Sequence, residues 1–212
     1  ALGFSSGMTA LSAVLKYFSP GDEIIVSDDL YGGTYRIFEI YRRFGIKAVY
    51  TDTSNLREVK KNINPKTRAI FIETPSNPTM KVTSIKDCAD LIHANGGILI
   101  ADNTFLSPYL QTPKDFGADV IIHSGTKFLS GHHDVLCGFL IYDKKEFFDG
   151  YQNMRGQQIN ANNLIEKPQM IEMLPNDVSG MTILDLGCGS GGLSKLLSDA
   201  GAKYVLGTDI SK

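Results

Sequence analysis

The chain has 212 residues, 42% of them hydrophobic and 21% charged, with a formal net charge of −2 and a pI near 6.1. That is an ordinary globular composition, enough for one sizeable domain or parts of two, and it gives no basic surface for nucleic acid or anionic membrane as a partner. No apolar run can span a bilayer, no basic-then-apolar leader opens the chain, and Cys88, Cys137 and Cys188 lack CxxC spacing, so a cytoplasmic protein with reduced thiols and no metal is expected.

The chain opens in what reads as a loop before a helix. Ser5-Ser6-Gly7-Met8 leads into apolar positions Met8, Leu11, Leu15 and Phe18, whose spacing predicts a helix over 9–18. A Ser-Ser-Gly turn at a helix N-terminus offers free backbone N–H groups to an anion, and it is equally a plain N-cap. Pro20-Gly21-Asp22 is a turn and 23–26 a short strand. Asp28-Asp29-Leu30-Tyr31-Gly32-Gly33 follows that strand's carboxyl end, where ligands of open α/β sheets gather, and precedes a helix over 34–44. Tyr31 is placed to lay its ring on a flat cofactor; a turn tyrosine with no ligand is as common. A strand over 46–51, a helix over 55–63 and a strand over 67–73 follow. Thr74-Pro75-Ser76-Asn77-Pro78 is then a rigid turn in which the prolines restrain Asn77 and can aim its amide, although Asn before Pro is also simply a good turn former.

A helix over 84–94 ends at Gly96-Gly97, and an apolar strand over 98–101 delivers Asp102-Asn103-Thr104. A carboxylate at the end of a buried strand is costly unless a cation pairs with it, and a protonated pyridine nitrogen is one such cation. The β-branched run Val120-Ile121-Ile122-His123 then empties into Ser124-Gly125-Thr126-Lys127. A lysine just past a buried strand can lose part of its hydration, which makes its amine a usable nucleophile, and the flanking hydroxyls suit a phosphate. That combination suits a Schiff base to pyridoxal phosphate; a surface lysine in a strand-to-loop turn is the other reading. A strand over 138–142 closes the series. Strand and helix alternate throughout, which predicts an α/β fold with a mostly parallel sheet and helices on both faces.

Together, Ser6-Gly7-Met8, Asp28-Asp29-Leu30-Tyr31-Gly32-Gly33-Thr34, Glu73-Thr74-Pro75-Ser76-Asn77-Pro78, Ala101-Asp102-Asn103-Thr104-Phe105 and Ser124-Gly125-Thr126-Lys127 resemble the Cys/Met-metabolism family of pyridoxal phosphate (PLP) enzymes. That family includes the cystathionine lyases, cystathionine γ-synthase and methionine γ-lyase. The resemblance spans residues 1–146 and implies part of a fold type I, aspartate aminotransferase-like large domain. It implies Lys127 as the Schiff-base lysine and general base, and Asp102 as partner of the pyridine nitrogen. It implies phosphate contacts from Gly7, Met8, Ser124 and Thr126, with Thr104 also among the cofactor-binding residues. Tyr31 is implied to stack on the ring and assist proton transfer at the leaving group, and Asn77 to face the phenolic oxygen. Gly131-His132-His133-Asp134 matches a family turn and reads as loop-shaping rather than metal-binding. The implied reaction is β- or γ-elimination or γ-replacement on cystathionine, methionine or an activated homoserine, in a homo-oligomer with sites at subunit interfaces.

After residue 146 the resemblance is expected to stop. No counterpart is found for the family's substrate-carboxylate arginine, nor for the N-terminal Tyr and Arg that reach a neighbouring subunit's phosphate, so weak turnover or none is the expectation. Polar residues 152–163 read as part of a linker or arm over 147–163. A helix over 164–174 precedes a strand over 181–186, the turn Asp185-Leu186-Gly187-Cys188-Gly189-Ser190-Gly191, a helix over 194–200 and a strand over 203–206 leading to Asp209. That order is a nucleotide-binding βαβ half-unit. It resembles the first motifs of class I S-adenosylmethionine-dependent methyltransferases. The resemblance implies Gly187, Gly189 and Gly191 beside the methionine end, Asp209 on the ribose and Asp185 in the same site. A partial Rossmann-like methyltransferase domain over 164–212, with S-adenosylmethionine as second cofactor, follows from it. Two further readings therefore stand beside the lyase or transferase: a methyltransferase, and a non-catalytic chimeric or truncated fusion whose exposed apolar edges favour association.

Overall fold

The apolar runs between residues 23 and 142 become strands of one seven-stranded sheet in the computed structural model, which describes residues 1–142, 171–172, 174–186 and 191–208. Strands β1 (Leu2–Phe4), β2 (Glu23–Ser27), β3 (Lys47–Thr51), β4 (Thr67–Glu73), β5 (Ile98–Asp102), β6 (Val120–Ser124) and β7 (Gly138–Tyr142) lie in the order β1-β7-β6-β5-β4-β2-β3. From β3 through β2, β4 and β5 to β6 the pairing is parallel, and β7 runs antiparallel to β6. The reversal has a plain cause. The segment joining β6 to β7 forms turns and no helix, and a parallel return needs a crossover, usually helical. The N-terminal residues correct the reading of a loop: Leu2–Phe4 is an edge strand, too short for periodicity to reveal.

Helices α1 (Gly7–Leu15), α2 (Gly32–Arg42), α3 (Leu56–Asn62), α4 (Ile85–Ala94) and α5 (Ser107–Leu110), with a 3₁₀ turn at Pro113–Phe116, connect the strands. Three helices start at polar caps. Ser6 accepts from the Thr9 N–H, Asn55 from Arg57 and Ser84 from Asp87, each satisfying a donor that the first turn leaves open. Because Ser6 is the cap, α1 begins earlier than the 9–18 expected from periodicity, and it ends before Phe18. The short helix α5 and the 3₁₀ turn carry too few residues to show a period, and the sequence does not announce them.

Residues Ala69 to Ile72 of β4 are fully buried, because both faces of the sheet are covered. On one face Ile25, Ile70, Ile72 and Leu99 pack under Ile85, Cys88, Ala89 and Ile92 of α4. On the other, Phe71 meets Phe38 of α2 edge-on with ring centroids 5.5 Å apart. On β6 and β7 sits α1, which buries Ala10, Leu11, Val14 and Leu15. The carboxyl ends of the parallel strands thus share one edge of the sheet, and the N-terminus of α1 arrives beside β6.

The chain divides into two compact units, Gly3–Phe147 and Phe148–Lys212 with Ala1–Leu2. In the second, β8 (Thr182–Leu186), α6 (Gly192–Asp199) and β9 (Tyr204–Thr208) form a βαβ unit in which β8 pairs parallel with β9. The expected linker over 147–163, most of the expected helix over 164–174, and Gly187, Cys188, Gly189 and Asp209 lie outside the described residues. Among the described residues no helix is long and apolar enough to cross a membrane.

Candidate active site

Four strands end side by side in polar residues: Ser27, Glu73, Asp102 and Ser124 close β2, β4, β5 and β6. The register sets Glu73 opposite Asp102 and Asp102 opposite Ile122. Above these ends lies a cavity of about 220 Å³. Its walls include Gly7 and Met8 from α1, Tyr31 from the loop after β2, and Asn77 from the turn after β4. Asp102, Thr104, Ser124, Thr126 and Lys127 complete it from the ends of β5 and β6. Every site residue that the sequence motifs of the first unit single out therefore borders one space.

One part of this wall is built for an anion. Helix α1 spans nine residues, and its first-turn N–H groups have no intrahelical acceptor and sit at the positive end of the helix dipole. Glycine is required at its first position: a Cβ on Gly7 would stand 2.8 Å from the Ser124 Cβ. Gly138 is equally close to the helix start, since a Cβ there would meet the Ser6 carbonyl oxygen at 2.2 Å. Together these contacts bring the backbone of α1 up against the Ser124 hydroxyl. Thr126 adds a second hydroxyl, which donates to the Cys137 carbonyl at 3.3 Å and accepts from the Cys137 N–H at 3.2 Å.

Asp102 lines the cavity floor and is half-buried by surface. Its Oδ1 accepts from the Thr104 N–H at 3.0 Å and the Thr104 hydroxyl at 2.5 Å. The same hydroxyl accepts from the Ser124 N–H at 2.9 Å, so Thr104 locks the end of β5 to that of β6. Desolvation pushes the Asp102 carboxyl above the usual carboxylate range, against the pull of Thr104. A cation beside it would hold it ionised.

Tyr31 lies with its ring over Gly33, where a Cβ would come within 2.3 Å of a ring carbon. Its backbone N–H donates to Glu73 Oε2 at 2.9 Å. Asn77 is half-buried at the cavity wall, and its backbone faces the Glu73 carboxyl and favours its charged form. Lys127 follows β6 in a turn with its side chain exposed, as the surface-lysine alternative has it, and it also lines the cavity.

His132 and Asp134 contact each other within the turn after Lys127, which fits loop-shaping. Among the described residues no cluster of His, Cys, Asp and Glu could hold a metal. In the second unit Gly191 precedes α6 with φ of +81°, and Asp185 accepts from the Ser194 hydroxyl at 2.6 Å.

Glu73, Leu11, Thr34, Phe105 and Leu136 also border the cavity, although the sequence motifs gave them no role in the site. For Glu73 a signal existed. It ends an apolar strand in an acid, as Asp102 does. The apolar and threonine positions carry no such mark, since only packing brings them to the wall.

These residues fit a flat phosphate ester with a basic ring nitrogen. The cavity offers amide and hydroxyl donors for the phosphate, an acid in need of a cation, an aromatic ring and a primary amine. The family described as Cys/Met metabolism PLP-dependent enzyme matches residues 1–167, past the 146 at which the resemblance was expected to end. The chain is 48% identical over 144 residues to cystathionine gamma-lyase of Bacillus subtilis, covering 68% of this chain and 38% of that protein. It is 47% identical over 148 residues to cystathionine gamma-synthase of Haemophilus influenzae, covering 69% of this chain and 40% of that protein. The crystal structure of cystathionine gamma-lyase from Lactobacillus plantarum complexed with L-serine matches with a TM-score of 0.70 at 40% identity, over 72% of this chain and 40% of that one. The chain thus spans about two fifths of the length of these relatives.

Proposed function

The chain belongs to the Cys/Met-metabolism PLP-dependent enzymes, and on that premise we propose that its first unit carries the cofactor half of a carbon–sulfur lyase or transferase acting on sulfur amino acids or activated homoserine. The observation that carries this is the meeting of Gly7, Tyr31, Asn77, Asp102, Ser124 and Lys127 around one cavity. When bound, the cofactor supplies an electron sink that lets a proton leave the substrate's α-carbon. Gly7 and Met8 through backbone N–H groups, and Ser124 and Thr126 through their hydroxyls, would hold its phosphate, with Thr126 turning its O–H away from the Cys137 carbonyl to do so. Asp102 would be kept ionised by a protonated ring nitrogen and would orient the ring, a task that Asn77 and Tyr31 would share from the other walls of the cavity. Lys127 would hold the aldehyde carbon through its amine and, once the substrate's own amine has taken that place and freed it, would accept the α-proton as general base. Tyr31 gives a proton to the departing sulfur or oxygen. This chemistry serves β- or γ-elimination and γ-replacement alike.

The test is an absorbance titration of the purified chain with pyridoxal phosphate beside Lys127→Ala. A visible band present in the parent and missing in the variant supports the reading. Absence of the band in both overturns it. Release of a 2-oxo acid from cystathionine then measures whether elimination occurs.

For the second unit we infer a nucleotide-binding half-unit within a domain over 164–212, joined through 147–163 to the first over 1–146. The parallel β8–α6–β9 arrangement, with Gly191 in the left-handed region at the turn, favours it. S-adenosylmethionine is the ligand proposed. Calorimetric titration of the chain with S-adenosylmethionine, silent at millimolar concentration, would remove that reading and leave this segment non-catalytic. Homo-oligomerisation in a cytoplasmic setting completes the proposal; exposed Phe128, Leu129 and Leu136, the last of them on the cavity wall, favour the oligomer. Sedimentation as a monomer at micromolar concentration would refute it.

A further inference from the structure

Two segments bring Tyr31 and Asn77 to the cavity, the loop over 28–31 and the turn over 74–81, and two carboxylates tie them together. At the rim, Asp29 Oδ2 accepts from the hydroxyls of Ser76 and Thr79 and from the Thr79 N–H, the last at 3.2 Å. Deeper down is Glu73, the last residue of β4 and 8% exposed. Its carboxylate takes the Tyr31 N–H at 2.9 Å, and the Asn77 backbone N–H faces the same carboxylate from the turn and favours its charged form. The two residues proposed to face the cofactor's ring therefore hang by their main chains from one buried side chain. For folding alone this is a costly choice. Glu73 lies in register with Asp102, and a buried carboxylate beside another acid is disfavoured by both desolvation and like charge.

We propose that Glu73 is a positioning residue: its carboxylate accepts the backbone N–H groups of Tyr31 and Asn77 together, fixing their separation across the cavity before any ligand arrives. Glu73 itself touches no reacting atom in this scheme. Its neighbours are Asp102 on β5, Asp29 and Tyr31 on the loop and Asn77 on the turn, while Lys127 borders the same cavity. The proposal rests on the PLP reading only for what Tyr31 and Asn77 touch; the joining of the two segments is independent of it.

The experiment is amide hydrogen exchange by NMR on the whole chain, without added cofactor, for the parent, Glu73→Gln and Glu73→Ala. Loss of a charged acceptor is expected to speed exchange at Tyr31 and Asn77 about tenfold or more in Glu73→Ala, with Glu73→Gln between, and Ile25 and Ile70 unchanged. Unchanged exchange at Tyr31 and Asn77 in Glu73→Ala overturns the proposal. If that variant unfolds, as lost protection of Ile25 and Ile70 would reveal, the parent decides. The amide shifts of Tyr31 and Asn77 must titrate together with one midpoint near 7, and the step must vanish in Glu73→Gln. Separate midpoints, or no step, overturn it. A parallel absorbance titration with pyridoxal phosphate is expected to weaken about tenfold in Glu73→Ala and less in Glu73→Gln. If the parent itself gives no band, the lyase reading fails while the exchange data still decide the role of Glu73.

Discussion

At the scale of single residues the site is set by two acids that folding alone would not choose. Burial, and then the charge of Asp102, raise the Glu73 carboxyl to about 7 from an ordinary 4.5, against the hydrogen bonds from Tyr31 and Asn77. Its folded pKa thus exceeds its unfolded one, so between pH 4.5 and 7 the native state binds the extra proton. Stability from this group is complete below the unfolded value and falls as pH rises through the folded one, by roughly 3 kcal/mol at most. Glu73→Gln keeps the shape without the charge. Its melting temperature relative to the parent should climb from pH 5 to pH 8, and a difference flat with pH would count against a buried, titrating Glu73. Asp102 is displaced in the same direction by burial. We expect Asp102→Asn to melt no lower than the parent at pH 8, yet to bind pyridoxal phosphate at least about tenfold more weakly, since the ring nitrogen loses its counter-charge. Equal affinity in the absorbance titration would take Asp102 out of the site. Its candidacy was legible in the sequence as an acid closing an apolar strand, and the same rule applied to Glu73 would have found the second acid.

At the scale of elements, helix starts and strand ends do the positioning. Ser6 caps α1 and Gly7 lets that helix abut Ser124, so Gly7→Ala forces a Cβ into a 2.8 Å approach to the Ser124 side chain. The loss should fall on cofactor affinity, because the helix keeps its cap and its buried Leu11, Val14 and Leu15. Comparing affinity with melting temperature checks this, and a variant that melts far lower at unchanged affinity would refute it. The strands answer to burial. Ile70→Ala removes a fully buried side chain from β4, at a cost of about 2–5 kcal/mol, whereas Tyr109→Ala at 92% exposure should change stability by no more than about 0.5 kcal/mol in chemical denaturation. Most of these elements were readable because β-branched runs, polar caps and Gly or Pro breaks punctuate them. The edge strand Leu2–Phe4 was not, since its strand character comes from the sheet it joins rather than from its own three residues.

For the whole molecule, the two units differ in how much they bury. Both faces of the seven-stranded sheet are packed, whereas among described residues of the second unit only Val178 and Leu197 are buried hydrophobics. Stability is not shared evenly in such a chain. Amides of β8 and β9 should therefore exchange faster than those of β4 and β5, by about a hundredfold if the difference in opening free energy is near 3 kcal/mol. Hydrogen exchange followed by mass spectrometry measures this directly, and equal protection would mean that the two units open as one.

The sequence by itself determined the alternation of strands and helices, the caps that start them, and which residue types stand at the strand ends, because these follow from local periodicity, turn chemistry and hydrogen-bonding groups. It also carried the family resemblance, which rests on short runs of neighbours. Tertiary structure decided the rest: that β4 lies beside β5 and so sets Glu73 against Asp102, that β7 returns antiparallel, that Lys127 stands exposed, and that one carboxylate joins Tyr31 to Asn77. Strand order and register bring together residues distant in sequence, and no local pattern encodes that choice.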